Sequence, residues 1–400
     1  MGRTLRSAPA LYTHAAVTGV DRVRVFKVLA PDEAKADRYD SCNVLVLKGS
    51  DDSPTLKEQM RATEGAAAVR IDDLRHPDVV RPGDVVRLRP GSTLVSVLYR
   101  RGSNANALFV TEQCNSLCLM CSQPPRNESD RWRLDELHAL IDLVDVDEPQ
   151  LGITGGEPTL LREDLAYLID HARQRLPNTL LHTLTNGRLF SDAGLADMLC
   201  ASAGDQAVWA VPIYADIAAL HDEIVGGVGA FGETMSGLYE LAKRRARVEI
   251  RIVLHALSIP RLPQLASYIY RRMPFVEHVA FMGLEPMGFA KMNRDRLWID
   301  PADYQAPLCD AVHHLALRGM SVSIYNLPLC VLRSDLWPFA RASISDWKNR
   351  DAPQCRTCSV RDACSGFFAS AGPQWRSRAI APITGSGSSK GEEVSRYGVA

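Results

Sequence analysis

The stretch Gln150-Leu151-Gly152-Ile153-Thr154-Gly155-Gly156-Glu157-Pro158-Thr159-Leu160-Leu161 sets the reading of the whole chain. A short β-rich run stops at a glycine pair, and apolar residues then recur at three- and four-residue intervals over 161–176. This is one strand, loop and helix. Outward from it, between Ala105 and Cys330, the alternation repeats. Strands are expected over 107–111, 150–154, 179–185, 207–214, 248–256 and 276–285, and helices over 134–144, 161–176, 192–200, 235–245, 262–272 and 303–317. Strands alternating with helices imply a parallel sheet, and six such units imply an α/β fold, a partial (βα)6 TIM-like barrel. Ligands of such folds sit at the carboxyl ends of the strands. The conspicuous residues fall there: Cys114 after the first strand, Gly155 and Gly156 after the second, Asn186 after the third, Asp216 after the fourth and Glu285 after the sixth.

The loop after the first strand reads Thr111-Glu112-Gln113-Cys114-Asn115-Ser116-Leu117-Cys118-Leu119-Met120-Cys121-Ser122. Cys114, Cys118 and Cys121 place three soft ligands within eight residues. Thiolate-rich sites select Zn, Cu(I) or iron–sulfur clusters. A [4Fe–4S] cluster ordinarily takes four cysteines, so three leave one iron open for a chelating molecule, as open catalytic metal sites do. A structural zinc site and packed core thiols are the alternatives. In Gly155-Gly156-Glu157-Pro158, paired glycines permit close backbone approach, and a strand-end carboxylate can accept bonds from an ammonium group. Standing alone, those four residues are a turn.

A second group, Cys330, Cys355, Cys358 and Cys364, contains Cys-x2-Cys-x5-Cys. Four thiolates suffice to close a site, and both an iron–sulfur cluster and a tetrahedral zinc fit the spacing. Cys42, Cys200 and Cys309 belong to no motif; Cys200 and Cys309 lie in helical patterns and read as packed core thiols.

A chain of 400 residues predicts two or three domains. Residues 1–103 carry short β-rich runs, over 23–29, 43–47 and 84–88, punctuated by turns such as Arg81-Pro82-Gly83-Asp84. They predict a small β-rich domain, either a docking module or a structural cap. The barrel is expected over 104–320, a cysteine-rich extension over 321–382 and a flexible tail over 383–400. The formal charge of −1 gives no electrostatic footprint for nucleic acid. No run of 18 apolar residues predicts a membrane span, and the N-terminus lacks a signal-peptide h-region. A cytoplasmic location is therefore expected, where ten cysteines fit metal clusters better than disulfides.

Cys-x3-Cys-x2-Cys in this position resembles the motif of the radical S-adenosylmethionine enzymes. The resemblance implies a [4Fe–4S] cluster on Cys114, Cys118 and Cys121, whose open iron is chelated by the amino and carboxylate groups of S-adenosylmethionine. An electron from the cluster, ultimately from an external donor, would cleave the sulfonium to methionine and a 5′-deoxyadenosyl radical that abstracts hydrogen from the substrate. The cofactor carries the hard chemistry. Gly155, Gly156, Glu157 and Pro158 resemble the family segment that holds the methionine amino group. Asn186, Asp216 and His221 fall in segments that border the cofactor, and Asn186 is otherwise a turn residue. Arg251, on the fifth strand, is implied at the carboxylate or ribose, its alternative being a structural pair. Glu285 lies where family members approach the adenine or the substrate. Met120 stands where many members carry an aromatic residue against the adenine, and a thioether can pack there.

The group Cys330, Cys355, Cys358 and Cys364 is similar to the SPASM and twitch extensions of peptide-modifying radical enzymes, which implies a second, auxiliary [4Fe–4S] cluster, with zinc as the alternative. The order of β-rich leader, cysteine triad with Ser122-Gln123-Pro124-Pro125, barrel and four-cysteine tail resembles the radical maturases of the His-Xaa-Ser system (HxsC). That implies a ribosomally made peptide or small protein with His-Xaa-Ser repeats as substrate, gaining a cross-link or other oxidised side chain, and a second radical maturase and an accessory protein as partners. Alternatives are the same radical step on a small molecule or tRNA, and a scaffold of metal sites with no catalysis.

Overall fold

The computed structural model describes residues 11–30, 33, 44–47, 60–62, 69–343 and 349–384. Cys42, and the expected tail from residue 385 onward, lie outside the described residues. Eight strands form the first sheet: β1 Tyr12–His14, β2 Ala16–Thr18, β3 Arg24–Leu29, β4 Val44–Leu47, β5 Met60–Ala62, β6 Arg70–Asp72, β7 Val85–Leu88 and β8 Leu94–Tyr99. Their order is β1-β8-β7-β3-β4-β5-β6-β2. Only Ala15 separates the two end strands in the chain, so the sheet curls until its edges meet, around a core that includes Phe26, Val28, Leu45, Ile71, Val86, Leu88 and Val95. Closure of this kind leaves little unpaired edge. The turn before β7 forms as its residues demand, with Gly83 at φ 90° and Asp84 N–H donating to the Arg81 carbonyl at 3.1 Å.

The second sheet is wholly parallel and follows chain order from edge to edge: β9 Ala107–Phe109, β10 Gln150–Thr154, β11 Leu180–Leu184, β12 Ala207–Pro212, β13 Arg247–Leu254, β14 His278–Gly283, β15 Ser321–Tyr325 and β16 Ala340–Arg341. Helices cross between them: α1 Trp132–Ile141, α2 Glu163–Arg175, α3 Ala193–Ala203, α4 Ala218–Val225, α5 Ala230–Lys243, α6 Leu262–Arg272, the short α7 Phe289–Met292 and α8 Arg294–Leu297, and α9 Gln305–Ala316. The fold is the expected partial TIM-like barrel, with two strands more than the six expected. β15 escaped the periodicity reading because Ser-Val-Ser-Ile-Tyr offers the core only two aliphatic residues, Val322 and Ile324, and β16 is too short to show a period.

Local sequence explains the helices. In α6, Leu262, Leu265, Ala266 and Ile269 are buried at spacings of three and four while Arg271 and Arg272 close the exposed end. Asp192 caps α3 by accepting from Gly194 and Leu195 N–H at 3.0 and 3.2 Å. β12 is buried along nearly its whole length, as a strand covered on both faces must be.

The two sheets share a core. Val25, Val85 and Tyr99 pack in one cluster with Leu137, Leu140 and Ile141 of α1. Beside it Lys27, 0% exposed, donates to Asp145 Oδ1 at 2.9 Å, and Arg101 Nε donates to Asp145 Oδ2 at 2.7 Å. Burial lowers the Lys27 pKa. Burial would raise Asp145, but Arg101 and Lys27 hold its carboxyl down at about 2. Removing the carboxylate takes a close partner from both Lys27 and Arg101, whereas removing the ammonium leaves Asp145 with Arg101. Asp145→Ala is expected to cost about 3–5 kcal/mol in urea unfolding, and Lys27→Met less than half of that.

Candidate functional site

The cysteine loop leaves β9 at the carboxyl end of the parallel sheet and is gripped by four neighbouring segments. After β10, Gly156 N–H donates to the Thr111 carbonyl at 2.7 Å and Glu157 N–H to that of Gln113 at 2.8 Å. A Cβ at Gly155 would lie 2.4 Å from the Thr111 oxygen, and one at Gly156 2.2 Å from the Gln113 oxygen. No side chain fits at either position. After β11, Asn186 Nδ2 donates to Asn115 Oδ1 at 2.6 Å, while Arg188 donates to the Asn115 carbonyl and to Ser116 Oγ. The same guanidinium is held by Glu233 at 2.6 Å.

At the end of α4, the carbonyls of Val225 and Ile224 accept from Leu117 and Leu119 N–H, each at 2.9 Å. Gly226 there has φ +67°, and a Cβ on it would lie 2.8 Å from the Leu117 oxygen. Beyond β14, Phe289 N–H donates to the Cys121 carbonyl at 2.8 Å and Asn293 Nδ2 to that of Leu119 at 2.9 Å. The loop's polar main chain is thereby satisfied without regular structure of its own.

These contacts leave Cys114, Cys118 and Cys121 half-buried and free of disulfides. Burial pushes the Cys114 thiol up to about 11 and that of Cys118 up to about 12, and the neighbouring thiols add to both. Burial also raises Cys121. Half-buried thiols held near one another gain thiolate character when a cation lies among them. Arg188 favours the anion at Cys114 and Cys118.

Glu157 is 0% exposed. Its Oε1 accepts from Thr159 N–H at 3.0 Å, Thr159 Oγ1 at 2.6 Å and Thr185 Oγ1 at 2.7 Å, and its Oε2 from Asn186 N–H at 2.6 Å. Burial raises its pKa against the pull of these donors. The carboxylate thus laces the loop after β10 to the loop after β11, capping the turn Pro158–Leu161, in which Pro158 is buried. The side chain is committed to protein donors, so any contact this segment makes to a ligand falls to its main chain.

The remaining expected residues are placed as follows. Asp216 is paired with Arg261 through both oxygens, at 2.7 and 2.6 Å. Arg251 donates to Glu249 at 2.9 Å and to Met282 Sδ at 3.0 Å. Glu285 is half-buried just past β14, and its carbonyl accepts from Met287 N–H at 2.9 Å. Met120 is buried with Tyr214, Ile224, Leu284 and Trp375 in an apolar cluster behind the loop. His221 is a core residue, accepting from Tyr214 N–H at 3.3 Å through Nδ1, and burial lowers its pKa to about 4. The structure therefore gathers the three cysteines, the glycine pair, Glu157 and Asn186 around one loop, and ties Asp216 and Arg251 to partners of their own. Sequence reasoning missed Arg188 and Asn293, and it gave Tyr214 and Gly226 no role of their own within the segments around Asp216 and His221. Arg188 follows Asn186-Gly187 without any motif, and burial, with a smaller contribution from the charge of Cys118 and Cys121, raises the Tyr214 phenol.

Cys330, Cys355, Cys358 and Cys364 line one cavity with Leu329, Val360, Phe367 and Ile380. Leu329 and Gly366 N–H point at Cys364 Sγ, at 3.3 and 3.4 Å, as donors to cluster-bound sulfurs do. An apolar cavity lined by Trp298, Tyr304, Phe368 and Trp375 shares Phe367 and Gly366 with it and reaches Gly283 and Leu284 at the barrel mouth. Cys309 is buried, and Cys200 is packed against the core. No helix among the described residues is long and apolar enough to cross a membrane.

No family model and no curated protein matches the sequence. Among solved structures, the chain is similar to native anSMEcpe with bound AdoMet, at 18% identity and a TM-score of 0.43, over 55% of this chain and 62% of that one. It is similar to a radical SAM methyltransferase from Sphaerobacter thermophilus at 16% identity and a TM-score of 0.38, over 70% of this chain and 76% of that one. A third is the radical S-adenosylmethionine methyltransferase TsrM from Kitasatospora setae, with cobalamin and a [4Fe–4S] cluster bound, at 15% identity and a TM-score of 0.34, over 46% of this chain and 40% of that one. The chain thus spans about three-fifths of the length of the first of these.

Gly156→Ala must drive the cysteine loop away from the loop after β10. Iron retained after reconstitution is expected to fall as far as in a Cys118→Ala variant, while the far-ultraviolet circular dichroism stays that of the parent. A second outcome concerns pH. Burial lowers His221 to about 4 and His255 to about 3, so both stay neutral in the fold while their unfolded counterparts gain protons below about 6.5. Stability is therefore full above that pH and is lost as pH falls toward the folded values, by about 1.4 kcal/mol per pH unit for each histidine. His255→Gln is expected to flatten the acid limb of the urea midpoint plotted against pH.

Proposed function

We propose that this chain is a radical S-adenosylmethionine enzyme that abstracts hydrogen from a residue of a ribosomally made peptide of His-Xaa-Ser type, leaving a cross-link or other oxidised side chain. The observation that carries the reading is the loop of Cys114, Cys118 and Cys121 at the carboxyl end of the parallel sheet, pinned by the main chain of Gly155, Gly156 and Glu157. Three thiols on one loop with no fourth ligand from the motif fit a [4Fe–4S] cluster with one open iron. With S-adenosylmethionine on that iron, the pair supplies a hydrogen-abstracting radical.

The chain's own residues orient and shield. Arg188 and Asn186 fix Asn115 and Ser116, and with them the direction of Cys114 and Cys118. Glu157 fixes Asn186 in turn. Met120, Tyr214 and Leu284 close the back of the loop to water, which a reactive radical requires. An apolar cavity runs from Gly283 and Leu284 at the barrel mouth toward the four C-terminal cysteines, and in this reading the substrate approaches along it. In this reading the four C-terminal cysteines hold an auxiliary [4Fe–4S] cluster, an external donor reduces the first cluster, and a second maturase and an accessory protein of the same system act alongside.

Anaerobically reconstituted protein is expected to hold about eight irons, falling to about four when Cys114, Cys118 and Cys121 are replaced by Ala. Reductive formation of 5′-deoxyadenosine should vanish in the same variant. Zinc in both cysteine groups and no 5′-deoxyadenosine would sink the proposal.

A further inference from the structure

A third set of ligand-type side chains lies away from both cysteine groups. Cys309 and His313 stand four residues apart on α9, so they share one face of the helix. Asp335 reaches them from the 3-10 turn Ser334–Phe339. One ligand atom from each of the three lies within 4.8 Å of the others. Cys309 Sγ is 3.5 Å from His313 Nδ1 and 3.2 Å from Asp335 Oδ2, and His313 Nε2 is 3.9 Å from the same oxygen.

From the zinc bond lengths of such ligands and a tetrahedral angle, the atoms around a bound ion should be about 3.3–3.6 Å apart. The observed separations bracket that range, and rotation of the imidazole about its side-chain bonds brings one nitrogen to bear. We propose that Cys309, His313 and Asp335 bind a zinc-type divalent cation. Thiolate, imidazole and carboxylate are together the ligand types zinc uses, and binding releases the Cys309 thiol proton.

The surroundings suit the assignment. Arg333 donates to both Asp335 oxygens at 3.1 Å and its N–H to Gln305 Oε1 at 3.0 Å. A carboxylate that ligates through Oδ2 keeps the arginine on Oδ1, and outer partners of this kind orient ligating groups. Cys309 is 5% exposed, whereas the His313 and Asp335 side chains are each 36% exposed. One side is therefore open to water, which supplies the fourth ligand. The ion would join α9, which packs on the barrel, to the turn that runs from Cys330 toward β16. It is independent of the iron sites, whose ligands lie elsewhere, so it stands or falls apart from the proposed function.

The test uses the full chain with its clusters reconstituted, exposed to one equivalent of Zn2+ or Co2+ and desalted. One further ion should be retained beside the iron, Co2+ should give thiolate charge-transfer bands, and the melting temperature should rise with Zn2+. Cys309→Ala and the surface variant His313→Ala should each lose the ion, the bands and the rise while iron content stays at the parent value. Cys358→Ala should keep the cobalt bands. No retained ion in the parent, retention in both Cys309→Ala and His313→Ala, or loss in Cys358→Ala alone would overturn the assignment.

Discussion

The main chain of Gly155 and Gly156 lies against that of residues 111–113 at a distance no Cβ can occupy, and the rest of the candidate site is arranged around that approach. Two hydrogen bonds continue the pairing of β9 and β10 past the ends of both strands. The loop that carries the cysteines therefore starts from a fixed point. Once its first residues are set, Asn186 and Arg188 hold Asn115 and Ser116, the end of α4 takes Leu117 and Leu119, and Phe289 takes Cys121. An irregular segment of this length would ordinarily be mobile. Here the segments after β10, β11, β12 and β14 each lend it bonds.

This arrangement separates positioning from ligation. Glu157 is an internal brace, with four donors on its two oxygens. Met120 likewise supports the loop from behind among Tyr214, Ile224 and Leu284. The barrel mouth is closed on another side by the C-terminal segment, where four cysteines meet and an aromatic-lined cavity leads back to Gly283 and Leu284. At the opposite flank, Lys27 and Asp145 tie the first sheet to the helix layer by a buried charge pair, which makes the two sheets one packed body.

Period and spacing in the sequence determined the parallel α/β class, six of the eight strands of the second sheet, the loop ends on which the cysteines stand, and the grouping of cysteines into three and four. These follow from local rules, since apolar period reports which face is buried and ligand spacing within a loop is covalent geometry. The last two strands, β15 and β16, were lost because their apolar residues are too few to carry a period. Only the tertiary structure decided that Arg188, Gly226 and Asn293 belong to the site, that Glu157 faces protein donors, that Asp216 is spent on Arg261, and that Cys309 meets Asp335. Apart from the local bonds of Glu157 to Thr159, each is a contact between residues at least 26 positions apart, set by how helices and strand ends pack in three dimensions, and no local pattern encodes such a distance.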